Sequence, residues 1–347
     1  MPTSKPVVLR LGRLLFAHDS WEKLAEIADI VTIPEETTRE ELIRRFSDPN
    51  DILSQVKVIT RSADSVGQTG RFDKDIAAAV PDSLVAVCHT GVGYDQIDVK
   101  YFSERRIQVS NTPDVVTDAT ADTHVFLLLG AMRNFGSGIR NLLEHRNCVP
   151  ARMATEFGHD PEGKTVGILG LGRIGRAIVS RLKPFGIKRF LYYSRHRLSS
   201  PELENGCEYV PLDQLLRESD IISINVPLSS ETRHLIDREA ISKMKPGAVI
   251  INTARGAVID EAALVEALKS GKVSAAGLDV YEYEPEVTKE LLELPQVVCL
   301  PHQGTHCVET RKDTEDYVVD NARHALLEGK VISIVPEIAN EEWFKNL

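Results

Sequence analysis

Three ionisable residues stand just beyond apolar runs in the second half of the chain. Arg255 follows VIINTA, Glu284 follows AAGLDVYEY, and His302 follows VVCLP. Arginine is a rigid, permanently charged fork that fits a carboxylate. Histidine gives or takes a proton near neutrality, and a neighbouring carboxylate tunes such a donor. Together the three groups could hold a carboxylate, polarise an adjacent carbonyl and deliver one proton. That is what carbonyl reduction by hydride asks of a protein. Singly, each has a plainer reading: surface charge for the arginine, an acidic loop for EYEPE, a structural role for the histidine. Their recurrence at three strand ends favours chemistry.

A second constellation supplies the missing hydride source. Gly170, Gly172 and Gly175 form G-L-G-R-I-G, with Arg173 and Ile174 inside it, directly after the strand-like KTVGILG and opening the helical GRIGRAIVSRLKPFG. The first glycine permits a tight turn, and the second lets backbone approach a pyrophosphate. The third lets helix pack on strand, while the helix N-terminus offers amide donors and positive dipole. A plain glycine-rich βα turn is the alternative. About twenty residues on, many such chains end their second strand on an acid that binds the ribose hydroxyls and repels a 2′-phosphate. Here LYYSRHR offers Ser194, Arg195, His196 and Arg197 instead. Ser194 removes that repulsion, and Arg195 and Arg197 can add charge-assisted bonds to a phosphate. The stretch therefore predicts NADP(H) as the preferred cofactor, with NAD(H) possible; solvated loop charges are the alternative.

The elements that position these groups alternate between apolar runs and helical stretches, the pattern of a parallel α/β architecture. VVLRL, DIVTI, VKVIT, LVAVCHT and IQVSN read as strands of a first α/β unit that lacks a glycine fingerprint. KTVGILG, RFLYYS, DIISINVP, AVIINTA, AAGLDVY and VVCLP read as strands of a second, too dense in Val and Ile to have an exposed face. Residues 117–134 read as an apolar helix, expected to be buried between domains or against a second subunit. The last forty or so residues return to helix. A substrate-side unit facing a cofactor unit, with the chemistry in the cleft, is the expectation.

Composition narrows the partners. The chain has 347 residues and a formal charge of −10, which argues against nucleic acid and against an anionic membrane surface. VFLLLGAM is far too short to span a bilayer. Five scattered cysteines without a CxxC pair, and an N-terminus without the apolar core of a signal peptide, predict a reduced, cytoplasmic protein.

In order along nearly its whole length, the chain resembles the D-2-hydroxyacid dehydrogenase family. The resemblance is carried by HTGVGYDQID (89–98), NTPDVVTDATAD (111–122), VGILGLGRIGR (166–176), INTARGAVIDEAALVEALKSGKVSAAGLDVYEYEP (251–285) and LPHQGTH (300–306). GRFD, CHTGVGYDQID and SKMKPG make it most similar to the fungal glyoxylate reductase and D-mandelate dehydrogenase branch. The resemblance implies two Rossmann-like domains: a doubly wound dinucleotide-binding domain over 115–306, and a discontinuous flavodoxin-like substrate domain over 1–114 and 307–347. It implies reduction of a 2-oxo acid to the D-2-hydroxy acid, with Arg255 as the substrate-binding cation and His302 as acid/base. Glu284, directly before Pro285, is then the partner of His302 rather than Glu282. Val92 and Gly93 would receive the substrate carboxylate on their amides, and Arg61 and Ser62 would line the substrate pocket. Pro227, Thr232, Thr253, Ala254, Asp279 and Gly304 would line the cofactor, Asp279 holding the nicotinamide carboxamide. The family pairs its subunits about the helix at 117–134, so a homodimer is implied.

Gln303, Thr305 and His306 depart from the family's usual residues after the histidine, which touches substrate preference rather than reaction. His302, His306 and Cys307 hint at a metal, but nothing else completes a ligand set, so no metal is expected. A dinucleotide-sensing corepressor of the same fold is the reading from a different class; the net acidity and the lack of long disordered tails fit it less well. Formate dehydrogenase would carry Gln where Glu284 stands, and 3-phosphoglycerate dehydrogenase would commonly add a regulatory domain.

Overall fold

The structure is a computed structural model that describes residues 5–347. The chain divides into two compact units, one running through Val116 and resuming over His306–Leu347, the other Thr117–Thr305. The first holds a five-stranded parallel sheet of β1 (Val7–Leu11), β2 (Asp29–Thr32), β3 (Val56–Ser62), β4 (Ala86–Thr90) and β5 (Gln108–Ser110), in the order β2-β1-β3-β4-β5. That is the flavodoxin-like order. Alternate residues serve two cores. Val7, Leu9, Ile59 and Val87 pack with Phe72, Phe102 and Ile76 on one face. Val8, Val58, Ala86 and Cys88 pack on the other with Trp21 and with Val318, Val319 and Ala322 of the long helix Val308–Leu327. The chain's return after residue 305 thus completes the first unit's second layer.

The second unit holds β6 (Thr165–Leu169), β7 (Arg189–Tyr193), β8 (Glu208–Tyr209), β9 (Ile221–Ile224), β10 (Ala248–Asn252), β11 (Val273–Leu278) and β12 (Val297–Cys299). All pair in parallel, in the order β12-β11-β10-β9-β6-β7-β8. Every residue of β9 and β10 is buried, as a sheet covered on both faces requires. The order reverses between β6 and β9, the topological switch point where ligands of this architecture bind beyond the strand ends. The two-residue edge strand β8 carries too little pattern to be read from sequence.

The apolar helix forms over Thr117–Met132. Its burial differs from expectation: Ala121, Leu127, Leu128 and Ala131 pack on Ile168, Ile251 and Ala275 of its own unit's sheet. Gly277 makes this approach possible, since a Cβ there would come within 2.9 Å of Leu127. Two further helices, Phe135–His145 and Cys148–Met153, follow where no element was expected. They leave Ile139, Leu143, Val149 and Met153 exposed. Among the described residues no helix is long and apolar enough to cross a membrane.

Candidate active site

The second unit brings Arg255, Glu284 and His302 together at the carboxyl ends of β10, β11 and β12. The buried Asn252 shapes the first corner: its Oδ1 accepts the Ala254 amide at 2.9 Å, and its Nδ2 donates to the Arg255 carbonyl at 2.8 Å. Gly256 lets this turn lie on the backbone of the next corner. A Cβ at 256 would fall 1.8 Å from the Tyr281 carbonyl carbon. At the second corner the Tyr281 amide donates to Glu284 Oε1 at 2.9 Å, aiming the carboxylate. At the third, the amides of Gln303 and Gly304 each donate to the buried Asp279 at 2.8 Å, and the Tyr281 hydroxyl donates to the Leu300 carbonyl at 2.8 Å. These bonds hold His302, itself in the left-handed region at φ 52°.

The product of this scaffolding is a 2.8 Å contact between His302 Nδ1 and Glu284 Oε2. Burial pushes the Glu284 carboxyl up. The His302 bond and charge, the Tyr281 amide and the Arg255 charge outweigh it and hold the group below its ordinary value. An ionised carboxylate only accepts, so Nδ1 carries the proton in this bond and Nε2 is the nitrogen left for chemistry. Glu282 is engaged elsewhere: its Oε1 contacts His234 Nε2 at 2.6 Å and Arg233 Nη2 at 3.1 Å.

The glycine turn fits a dinucleotide pyrophosphate. Gly170 has φ +95°, and a Cβ there would meet the Asn225 backbone at 2.9 Å; a Cβ on Gly175 would meet the Gly170 carbonyl oxygen at 2.4 Å. Gly172 has nothing within 4 Å of its Cβ position, so backbone there is open to close approach. The helix Arg173–Leu182 starts at this turn, and Ile174 packs into the core beneath. Ser194 Oγ accepts the Leu171 amide at 3.4 Å, tying the SRHR stretch to the turn. Thr232 Oγ1 donates to the Pro227 carbonyl at 2.6 Å and accepts the Ser229 amide at 2.8 Å, closing the loop after β9.

Thr253 has a partner that sequence reading missed. Its Oγ1 lies 2.9 Å from Nδ1 of the fully buried His124, whose Nε2 lies 2.8 Å from Ser223 Oγ. Burial pushes this imidazole down to about 3. The one sequence signal was a histidine inside an otherwise apolar helix.

In the first unit, the loop after β4 presents backbone rather than side chains. The Gly91 carbonyl accepts the Thr112 amide at 2.9 Å, and the Val92 carbonyl accepts Asn111 Nδ2 at 2.9 Å. His89 Nε2 lies 3.0 Å from the Gly93 carbonyl. In a trans peptide the carbonyl and the following amide point opposite ways. Inward carbonyls at 91 and 92 therefore turn the amides of Val92 and Gly93 outward. Arg61 departs from expectation. It is fully buried over the Phe72 ring at 4.2 Å and reaches the Gln96 carbonyl at 3.3 Å, so it braces this loop from beneath instead of lining a surface. Ile59, two residues earlier on β3, faces that core, and the same alternation puts Arg61 inside. Ser62 points to the opposite face and is also buried.

A doubly wound sheet, a pyrophosphate turn at its switch point and a Glu–His–Arg group on adjoining strand ends define a nicotinamide-dinucleotide oxidoreductase. Residues 125–304 match the D-isomer specific 2-hydroxyacid dehydrogenase NAD-binding domain. The chain is 60% identical over 343 residues to glyoxylate reductase 1 of Saccharomyces cerevisiae, covering 98% of this chain and 97% of that one. The structure is similar to that of Rhodotorula graminis D-mandelate dehydrogenase at a TM-score of 0.88 and 30% identity, covering 96% and 98% of the two chains. It is also similar to the NADPH-dependent glyoxylate/hydroxypyruvate reductase of Sinorhizobium meliloti, solved with NADP and malonate, at 0.82 and 34%, again over 96% and 98%. The chain belongs to the D-isomer specific 2-hydroxyacid dehydrogenase family.

Proposed function

We propose that the protein reduces a small 2-oxo acid of the glyoxylate, hydroxypyruvate or phenylglyoxylate type to its D-2-hydroxy acid, preferring NADPH and accepting NADH. The observation that carries the reading is the Glu284–His302 bond beside Arg255 on three adjoining strand ends. The bound nicotinamide supplies the hydride. Arg255 grips the substrate carboxylate and polarises the carbonyl, a task suited to a charge that is never lost. Val92 and Gly93 give the carboxylate two amide donors. His302, held by Glu284 through Nδ1, delivers a proton from Nε2 to the developing alkoxide. In the reverse direction the same nitrogen takes the proton back.

The cofactor preference is supported by Ser194 in place of an acid and by the exposed Arg195. Pro227, Thr253, Ala254 and Asp279 line the nicotinamide side, and Asp279 does so while fixing the His302 loop. The exposed apolar side chains of residues 135–157, Ile139, Leu143, Met153 and Phe157 among them, suit a homodimer interface. The corepressor-like alternative leaves the Glu–His–Arg geometry without work. A panel of 2-oxo acids assayed with NADPH and NADH side by side tests the reading. Turnover of at least one of them, faster with NADPH, is expected; no turnover of any would overturn it.

A further inference from the structure

The SRHR stretch carries two arginines, and their surroundings differ. Glu204 ends the short helix Pro201–Glu204 and is only 8% exposed. Its carboxylate accepts Arg197 Nε at 2.7 Å, Arg197 Nη2 at 3.2 Å and the Tyr192 hydroxyl at 2.8 Å. That hydroxyl in turn accepts the Leu198 amide at 3.1 Å. One buried carboxylate therefore gathers the end of β7, the guanidinium of Arg197 and the backbone just after it. These bonds, Arg197 foremost, hold Glu204 below its ordinary value. Both arginines are exposed; Arg197 is committed to Glu204, whereas the charge of Arg195 is felt by Glu231 of the loop after β9. Ser194 is tied on one side to the glycine turn and on the other to Tyr209, whose hydroxyl donates to the Ser194 carbonyl at 3.3 Å.

We propose that Arg197 and Glu204 are positioning residues of the cofactor-selecting loop, and that Ser194 and Arg195 read the 2′-phosphate. This rests on the NADPH-preferring reading above. For Arg197 to reach a phosphate it would have to give up its two bonds to Glu204, leaving that carboxylate only the Tyr192 hydroxyl. Among the described residues Arg195 makes no hydrogen bond to a carboxylate that it would have to give up. The bidentate geometry of the 197–204 pair fixes a plane. With the Tyr192 bond it sets the path of the loop and hence the direction of Arg195.

The two roles for Arg197 give opposite signs on one variant. Adenosine 2′,5′-bisphosphate and 5′-AMP, which differ by the 2′-phosphate, are titrated calorimetrically into the full chain. If Arg197 read the phosphate directly, Glu204→Gln would release its charge, and bisphosphate binding would tighten or stay unchanged. As a strut, Glu204→Gln weakens bisphosphate binding by about tenfold, the size of one lost charge-assisted bond, and leaves 5′-AMP within about twofold. Tyr192→Phe changes no charge and serves if Glu204→Gln fails to fold. It weakens bisphosphate binding selectively under the strut and leaves it unchanged under direct reading. A wild-type preference for the bisphosphate that survives both variants overturns the strut alone. Equal wild-type binding of the two nucleotides overturns the NADPH reading, and the strut with it.

Discussion

The strand-end corner at Arg255, Glu284 and His302 and the loop at Val92–Gly93 divide labour in opposite ways. In the corner the working groups are side chains, and backbone holds them: the Tyr281 amide aims Glu284, and the amides of Gln303 and Gly304 anchor the His302 loop on Asp279. In the loop the groups proposed to work are backbone amides: the Asn111 side chain and the Thr112 amide turn them outward by taking the Val92 and Gly91 carbonyls, while His89 and Arg61 fix the Gly93 and Gln96 carbonyls further along. Proton transfer needs a titratable atom, which backbone lacks. Receiving a carboxylate needs only donors at fixed positions, which backbone supplies without rotamer entropy. The difference teaches that residue identity matters at the first region and residue conformation at the second.

The comparison breaks most visibly at His302. His302→Gln or Arg255→Ala should lower kcat for 2-oxo acid reduction by about 10²–10⁴-fold, measured under saturating cofactor; wild-type-like kcat in either would remove the residue from the chemistry. In the loop the effect is smaller and falls elsewhere. Asn111→Ala frees the Val92 carbonyl, and about 1 kcal/mol of lost orientation should raise KM for the 2-oxo acid roughly fivefold while kcat changes little. A kcat loss equal to that of the His302 variant would erase the distinction between the regions.

The last effect falls on stability rather than on turnover. His124 is held neutral, its value pushed from 6.5 down to about 3. The unfolded chain then binds a proton that the folded chain does not, so the contribution is full above about pH 6.5 and is lost as pH falls from there toward 3. The slope is at most about 1.4 kcal/mol per pH unit. His124→Gln should flatten the fall in melting temperature between about pH 7 and pH 5. Parallel profiles for wild type and variant would mean that this histidine does not titrate on unfolding.

Much of the site was legible because strand ends announce themselves. The runs before Arg255 and His302 are short apolar stretches that begin on Val, the run before Glu284 is built of small apolar residues, and the glycine turn obeys fixed spacing. What lay outside reach has a common physical origin. Arg61 was expected at a pocket wall, yet strand alternation and the Phe72 ring beneath the loop put it inside. The helix Phe135–His145 carries Phe135, Ile139, Leu142 and Leu143 at helical spacing, a signal that sequence reading passed over, and these side chains stay exposed. Thr253 looked like a lining residue, and its buried partner His124 comes from a helix 129 positions earlier in the chain.

Sequence alone determined the parallel α/β class, the pyrophosphate turn and the three ionisable residues. Each is encoded by residue type at short range, through β-branched runs, glycine conformational freedom and side-chain chemistry. The family resemblance already pointed to Glu284 over Glu282 and to the Val92 and Gly93 amides; tertiary structure alone decided that Arg61 is buried under the loop, that His124 lies against Thr253, and that Arg197 rather than Arg195 is tied to Glu204. Those outcomes depend on which groups from distant segments meet. A carboxylate's partner, a histidine's contact and a cation's burial are settled by neighbours that local pattern does not name.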